Sequence, residues 1–205
     1  MEPKRLFIIL PGFTMDTKGM EPLVTKLKEY YPKEKYIIIN PPIRKITIYK
    51  QEKYRAWYDY YTNYCDKEDC INNEQLLQSR KRIQERILKE SKYIDFKHIY
   101  LIGYSQGACM ALDVGLTLSK QIGGIISIKG HVSKKTFEYP LYKQKIIASN
   151  GKADKTVGYN FAIKTYHKLK QQKYDILLIK QSTNHSLKTG LNELLKTINI
   201  FVKCS

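Results

Sequence analysis

A single serine stands in a setting that suits nucleophilic chemistry. Gly103 and Gly107 flank Ser105 in the pattern G-x-S-x-G. An apolar, β-branched run over residues 98–102 precedes the pattern, and residues 108–112 after it read as a helix. Glycines at these positions let a strand and a helix pass close together at a sharp turn, which leaves the serine hydroxyl exposed. The flanks therefore predict a nucleophile elbow, against the alternative of a Gly/Ser turn without chemistry.

A serine hydroxyl is a poor nucleophile at neutral pH and needs a base, for which the chain offers four histidines. Sites built on such an elbow follow the chain order serine, acid, histidine. His98 starts the elbow strand, His131 precedes every suitable acid, and His167 falls inside a helical pattern. His185 follows the last predicted strand at its carboxyl end, where catalytic groups of a parallel sheet gather. We therefore predict His185 as the base, against the alternative of a surface histidine.

The acid that orients the histidine has to lie between Ser105 and His185 in the chain. Asp113 falls within the helix after the elbow, and Asp175 stands at the amino end of a predicted strand. Asp154 directly follows the carboxyl end of a strand, in a loop that contains a glycine. Asp154 is therefore the predicted acid, against the alternative of an ordinary turn aspartate.

Acyl transfer also needs backbone N–H groups that stabilise a negatively charged oxygen. One donor should be the N–H of Gln106, which follows the nucleophile at the start of its helix. The other should come from the loop after the first strand. We assign it to Phe13, with Thr14 as the neighbouring alternative.

Apolar strands alternate with amphipathic helices along the chain, which is typical of a parallel, doubly wound sheet. Strands are predicted at residues 5–10, 36–39, 98–102, 124–128, 145–149 and 174–179. Helices are predicted at residues 20–31, 73–90, 108–120, 159–171 and 187–202. We therefore expect an α/β protein with a mainly parallel sheet of about six strands, helices on both faces, and one domain over residues 1–205.

A stretch rich in tyrosine, residues 43–70, fits this alternation least well. It contains the only tryptophan, and we interpret it as an excursion that covers substrate at the carboxyl edge of the sheet. Trp57 and Tyr58 are the predicted substrate-binding residues, with Tyr49 and Tyr54 on the same excursion. The alternative is ordinary packing of aromatic side chains over the sheet edge.

The formal net charge of +17 allows attraction to anionic surfaces. The basic residues are spread through the chain, which favours a solvated, lysine-rich surface instead. We therefore expect no specific nucleic-acid partner, and weak association with an anionic membrane stays an alternative.

The cysteines suggest a reducing compartment. They show neither a C-x-x-C nor a metal-ligand spacing, and no secretory signal pattern opens the sequence. We expect free thiols, a cytoplasmic location and no metal, with one cysteine pair close enough to join under oxidising conditions as the minor alternative. The four are Cys65, Cys70, Cys109 and Cys204, and the close pair is the first two.

Four motifs in order carry a resemblance to a known family. Residues 103–111 read G-Y-S-Q-G-A-C-M-A and are similar to the pattern G-F-S-Q-G-G-A-M/L-A of the acyl-protein thioesterase/carboxylesterase family, the lysophospholipase-like α/β-hydrolases. Residues 56–59 resemble its S/A-W-F-D motif, and residues 151–157 resemble its G-x-x-D-x-x-V-P. Residues 184–186 resemble its final G-H-x. The loop at residues 10–16 departs from the family pattern L-H-G-L-G-D.

The resemblance implies an α/β-hydrolase fold over nearly the whole chain. It also implies a triad of Ser105, Asp154 and His185, an oxyanion hole shaped by Phe13 and Gln106, and no cofactor. We therefore expect a serine hydrolase that cleaves carboxylic esters or thioesters through an acyl-serine. Two alternatives stay open: a small-ester carboxylesterase without a protein or lipid substrate, and a catalytically idle fold used as a basic binding module.

Overall fold

Six parallel strands build the central sheet of the computed structural model, which describes residues 3–62 and 70–203. The strands of this sheet are β1 (Leu6–Leu10), β2 (Lys35–Ile38), β5 (Ile99–Tyr104), β6 (Gly124–Ile128), β7 (Ile146–Gly151) and β8 (Ile176–Gln181). Two further strands, β3 (Ile43–Ile46) and β4 (Glu52–Arg55), lie between β2 and β5 in the chain and form a separate pair. The α-helices are α1 (Thr17–Tyr30), α2 (Asn73–Glu90), α3 (Gln106–Leu116), α4 (Tyr159–Gln171) and α5 (Leu191–Lys203).

The sheet order is β2-β1-β5-β6-β7-β8, and every neighbouring pair runs parallel. From β1 the chain first moves outward to β2 and later returns to add β5 on the other side. The loops after β1 and β5 therefore leave the same edge of the sheet side by side, which is where open α/β sheets bind ligands. The prediction of a doubly wound, parallel sheet of about six strands is confirmed.

The strands are apolar because helices cover both faces of the sheet. All residues of β1, β5 and β6 are buried. On β1 the side chains of Phe7 and Ile9 join the core under α1 and α5, whereas Ile8 and Leu10 join the core under α2, α3 and α4. Full burial of one such side chain contributes about 1.5–3 kcal/mol to stability.

Local capping sets the helix ends where they depart from the predicted ones. The Asp16 side chain accepts the N–H of Lys18 at 3.0 Å, so α1 begins three residues before the predicted start at residue 20. At the other end of the chain, Gly190 has a left-handed backbone with φ of 76°, and α5 begins only after it. Among the helices of the described ranges, none combines the length and apolar character that a membrane crossing requires.

The excursion at residues 43–70 contains an antiparallel hairpin that the sequence did not predict. Strands β3 and β4 pair with each other and stay separate from the central sheet. The part of the excursion at residues 63–69, with Cys65, lies outside the described residues, as does Cys204 at the end of the chain. Of the described cysteines, Cys70 is exposed and Cys109 is buried, and both are free thiols.

Candidate active site

Ser105 occupies the turn between β5 and α3 that the sequence predicted. It caps α3 with a positive φ of 53°, and its N–H donates to the carbonyl of Ile128 on the neighbouring strand at 2.9 Å. A Cβ on Gly103 would overlap the carbonyl of Gly107, and a Cβ on Gly107 would overlap the carbonyl of Leu10. Both glycines are therefore required by close backbone approach, and the turn holds the serine in a conformation that favours glycine.

His185 bridges the serine and the predicted acid. Its Nε2 lies 2.9 Å from Ser105 Oγ, and its Nδ1 lies 2.7 Å from Asp154 Oδ2. The three side chains extend from loops after β5, β7 and β8, so the common edge of the sheet brings residues from distant parts of the chain together. The sequence-predicted acid and base thus occupy hydrogen-bonding positions next to the predicted nucleophile.

The Asp154 carboxylate is buried and fully engaged. Its second oxygen, Oδ1, accepts the backbone N–H groups of Thr156 at 2.8 Å and Val157 at 2.9 Å. Burial raises the pKa of Asp154, but the hydrogen bond with His185 and those backbone N–H groups outweigh burial and hold the pKa below its ordinary value. The carboxylate is therefore ionised at neutral pH, which makes His185 Nδ1 the hydrogen-bond donor and leaves the Nε2 lone pair directed at Ser105 Oγ.

A buried lysine that sequence reasoning missed holds the turn that carries the histidine. Lys129 directly follows β6 and is 0% exposed. Its ammonium donates to the carbonyl of Asn184 at 2.6 Å, to the carbonyl of Ser186 and to the hydroxyl of Thr189 at 2.9 Å. Burial lowers the pKa of Lys129. The signal in the sequence was a lysine at the end of an apolar strand, where a charged side chain needs several partners.

Tyr104 supports the same turn from the elbow strand. Its hydroxyl donates to the backbone carbonyl of His185, and the two rings lie 5.4 Å apart between centroids. Burial, with the nearby charge of Asp154, raises the pKa of Tyr104 to about 12, so the hydroxyl keeps its proton and remains a donor.

The two predicted oxyanion residues belong to different segments, the start of α3 and the loop after β1. Gln106 is the first residue of α3, so its N–H is one of the donors at a helix start that have no acceptor inside the helix. In the loop after β1, the N–H of Thr14 is taken by the carbonyl of Arg55 on the hairpin, at 2.8 Å. The N–H of Thr14 therefore already has an acceptor, and Phe13 remains the predicted second donor of the oxyanion hole.

The predicted substrate-binding pair, Trp57 and Tyr58, is buried, with 0% and 2% of their surfaces exposed. The indole N–H of Trp57 donates to the Pro11 carbonyl at 2.8 Å, and the backbone N–H of Trp57 donates to the Gln106 side chain at 2.8 Å. The same Gln106 side chain donates to the Tyr58 carbonyl at 2.8 Å. Burial therefore favours the packing alternative over a substrate wall, and these contacts tie the loop after β1 to the start of α3.

Other aromatic side chains lie nearer the surface. The Phe13 ring stacks on Tyr49 and packs edge-on against Tyr60, with both centroid distances at 5.7 Å. Tyr54 lies at the same distance from Phe13. We call these four residues the aromatic cluster, and its members are partly or well exposed. The hairpin therefore places apolar surface beside the predicted oxyanion residue.

Metal binding finds no support in the part of the chain that the structure describes, where no group of three or more His, Cys, Asp or Glu side chains is arranged to hold an ion. The buried pair of Cys109 Sγ and His131 Nδ1, 3.4 Å apart, has only two such groups.

Solved structures with the same architecture confirm an α/β-hydrolase fold. SOBER1 from Arabidopsis thaliana superposes with a TM-score of 0.84 at 20% identity, covering 98% of both chains. The Bacillus cereus carboxylesterase gives 0.79 at 14% identity, covering 100% of this chain and 92% of that one. Acyl-protein thioesterase 2 from Zea mays gives 0.78 at 17% identity, covering 98% and 95%. At these identities the likeness shows the fold alone.

The family follows from sequence comparison. The model of the phospholipase/carboxylesterase family matches residues 2–202, so the chain belongs to that family. Acyl-protein thioesterase 1 from Neurospora crassa is 29% identical in an alignment 153 residues long that covers 69% of this chain. The match spans 62% of the Neurospora protein, less than two thirds of its length. The resemblance predicted from the four motifs is confirmed.

Proposed function

We propose that this protein is a serine hydrolase that cleaves carboxylic esters or thioesters through an acyl-serine intermediate. The observation that carries the proposal is the hydrogen-bonded series Ser105–His185–Asp154, with contacts of 2.9 and 2.7 Å at the catalytic edge of the sheet. Family membership supports the same reaction class, because phospholipases and carboxylesterases cleave ester bonds.

In the first half of the reaction, His185 Nε2 takes the proton from Ser105 as the Oγ attacks the acyl carbon. Asp154 stays ionised and stabilises the imidazolium that forms. The negative oxygen of the tetrahedral intermediate is stabilised by the N–H groups of Gln106 and Phe13. The imidazolium then gives its proton to the departing alcohol or thiol, which leaves the acyl group on Ser105.

Water completes the cycle in the same geometry. His185 takes a proton from the water as its oxygen attacks the acyl-serine, and the tetrahedral intermediate uses the same backbone donors. Collapse of that intermediate returns the proton to Ser105 Oγ and releases the carboxylic acid. Apart from the substrate and this water, the steps use side-chain and backbone groups of the chain.

The substrate is an acyl ester or thioester whose apolar part contacts the aromatic cluster of Phe13, Tyr49, Tyr54 and Tyr60. This surface favours substrates whose acyl part is an apolar chain over substrates whose acyl part comes from a small polar acid, because aromatic side chains provide a large apolar contact area. The relative from Neurospora crassa, named as an acyl-protein thioesterase, supports thioesters among the candidates. A cytoplasmic location is supported by the free thiols Cys70 and Cys109.

The test is hydrolysis of p-nitrophenyl esters from acetate to long acyl chains, alongside oxygen esters and thioesters of one acyl group. Ser105→Ala is expected to lower kcat by about 10⁴-fold or more, because the nucleophile is removed while the fold persists. Ser119→Ala, the same change at an exposed serine beyond α3, is the matched control and should keep wild-type rates. Equal activity of the wild type and Ser105→Ala would refute the nucleophile.

A further inference from the structure

A cavity of about 410 Å³ lies between the hairpin and α2, apart from the groups that form the proposed catalytic site. Three arginines line it: Arg44 on β3, Arg55 on β4 and Arg82 on α2. The rest of the lining comes from the loop before β3 and from α2, and among the residues that the structure describes it includes no carboxylate. Three arginines therefore share one concave surface that has no acidic residue from the described ranges.

None of these three arginines takes part in an ion pair with a residue in the described ranges. Arg80, by contrast, donates from Nε and Nη2 to both oxygens of Asp113, at 2.7 and 2.6 Å. The chain thus pairs the buried guanidinium of Arg80, which lies on α2 like Arg82, with a carboxylate of α3. In the cavity no carboxylate of the described residues supplies such a counter-charge, although nearby positive charges repel one another.

The donors of Arg44 are the least satisfied of the group. Its Nε is buried and has no hydrogen-bond partner. Both terminal nitrogens lie 3.5 Å from the amide oxygen of Gln78, and one lies 3.4 Å from the hydroxyl of Ser79. These distances exceed the usual 2.7–3.2 Å range of N–H···O bonds, so several N–H groups remain available to a ligand.

The other two guanidinium groups each contact one backbone carbonyl. Arg55 donates to the carbonyl of Pro41 at 3.3 Å, and Arg82 donates to the carbonyl of Asn40 at 3.1 Å. Each uses one terminal nitrogen in this contact, and a guanidinium carries five N–H donors. Both guanidinium groups therefore keep most of their donors for a ligand.

We propose that this cavity binds a phosphate group, held by the guanidinium groups of Arg44, Arg55 and Arg82. Guanidinium forks match phosphate oxygens in pairs, and such charge-assisted hydrogen bonds are strong. A bound phosphate also supplies the missing negative charge and a partner for Arg44 Nε. The phosphate belongs either to a free phosphate or to a phospholipid headgroup, since both present the same oxygens.

The electrostatics of Arg44 agree with this assignment. Burial, with the positive charge of Arg82 close by, lowers the pKa of Arg44 below its ordinary value. Burial and the neighbouring charge both disfavour the charged form of Arg44, and an anion between the two guanidinium groups would counteract them.

The binding test is calorimetric titration of the intact protein with inorganic phosphate in a chloride buffer. We expect saturable binding to one site, with a Kd of about 1 mM or below. Arg82→Gln and Arg44→Gln should each weaken binding about tenfold or more. Lys81→Gln removes the same charge from the adjacent exposed position of α2 and should change Kd less than about twofold. Absence of saturable binding, or equal losses in Arg82→Gln and Lys81→Gln, would overturn the proposal.

A second experiment identifies the source of the phosphate. Vesicles of phosphatidylcholine with and without phosphatidic acid are sedimented with the wild type and with Arg44→Gln. Sedimentation that requires phosphatidic acid, falls in Arg44→Gln and is displaced by inorganic phosphate supports a lipid headgroup in the cavity. Sedimentation that is equal in both proteins, alongside calorimetric binding that needs Arg44, supports a free phosphate.

The outcome is separable from the proposed hydrolase activity. Phosphate binding is measured without an ester substrate, and Ser105→Ala is expected to bind phosphate with the wild-type Kd, because Ser105 does not line the cavity. Loss of phosphate binding in Ser105→Ala would contradict an independent site.

Discussion

At the scale of single residues, the candidate site depends on fixed protonation states. Asp154 is held ionised by the hydrogen bond with His185 and by two backbone N–H groups. Its negative charge determines which nitrogen of His185 carries the proton, and therefore whether Ser105 faces a base. The charge of one buried carboxylate thus sets the chemistry of a serine to which it is not directly bonded.

Asp154→Asn tests this dependence on charge. The amide keeps the shape of the side chain but can donate to His185 Nδ1, which stabilises the tautomer with a proton on Nε2. We expect kcat for ester hydrolysis to fall about 10⁴-fold with a nearly unchanged KM. Asp175→Asn, an exposed aspartate at the amino end of the last sheet strand, is the control and should keep the wild-type kcat. Wild-type kcat in Asp154→Asn would contradict the assignment.

Lys129→Met tests whether the buried ammonium positions the turn that carries His185. The substitution leaves the carbonyls of Asn184 and Ser186 without their donor, so we expect stability to fall by about 1–3 kcal/mol. Because the imidazole loses its fixed position, kcat should fall about tenfold or more while KM stays near its wild-type value, measured where the variant is fully folded. A loss of stability with kcat unchanged would show that Lys129 stabilises the fold but does not position His185.

At the scale of elements, close backbone packing determines the geometry of the elbow. The helix α3 approaches both β5 and β1 closely: a Cβ on Gly103 would overlap the carbonyl of Gly107, and a Cβ on Gly107 would overlap the carbonyl of Leu10 at the end of β1. The same close approach sets Ser105 at the start of α3, where the N–H of Gln106 has no acceptor inside the helix. The geometry that exposes the nucleophile thus also provides an oxyanion donor.

Gly103→Ala should therefore disrupt the elbow. Its Cβ would overlap the carbonyl of Gly107, and neither backbone can move away from a close-packed sheet, so we expect a stability loss of about 3 kcal/mol or more and no hydrolysis. Gly19→Ala in α1 is the matched control. The added Cβ there meets the flexible end of Met15 at 2.8 Å, and alanine favours the helix, so stability should change by less than about 1 kcal/mol. Urea unfolding measures both, and similar losses would contradict the argument.

At the scale of the whole molecule, the parallel sheet acts as the frame of the site. Ser105, Lys129, Asp154 and His185 follow β5, β6, β7 and β8, and these four strands are consecutive neighbours in the sheet. Their carboxyl ends share one edge, so the contacts of Ser105 and Asp154 with His185, and those of Lys129 with the turn around His185, link distant parts of the chain. Stability and the candidate site are therefore coupled through the same ionisable groups.

The coupling predicts how global stability depends on pH. The folded-state pKa of Asp154 lies below its unfolded value of about 3.9, so ionisation of Asp154 stabilises the fold above that value. This contribution is lost as pH falls through the folded-state pKa. In urea unfolding, the stability advantage of the wild type over Asp154→Asn should be full above about pH 5 and should shrink below about pH 4. An advantage that grows on acidification would refute the predicted direction of the pKa shift.

The sequence by itself determined the order of the α-helices and of the strands of the central sheet, and it predicted the three residues of the candidate triad. Strands of a parallel sheet are buried on both faces, so they appear as continuous apolar runs, and the bounds predicted for α2, α4 and β6 match the structure. Their carboxyl ends must share one edge. Chain position alone was therefore enough to select Asp154 and His185 from among the other aspartates and histidines.

Only the tertiary structure decided which side chains surround that triad. Lys129 finds its acceptors in a turn more than 50 residues later, and the cavity arginines come from a hairpin and a separate helix. Trp57 looked like a substrate contact but is buried, because the hairpin region folds back over the loop after β1. Such contacts depend on how elements pack, and periodicity along the chain contains no information about partners that are distant in sequence.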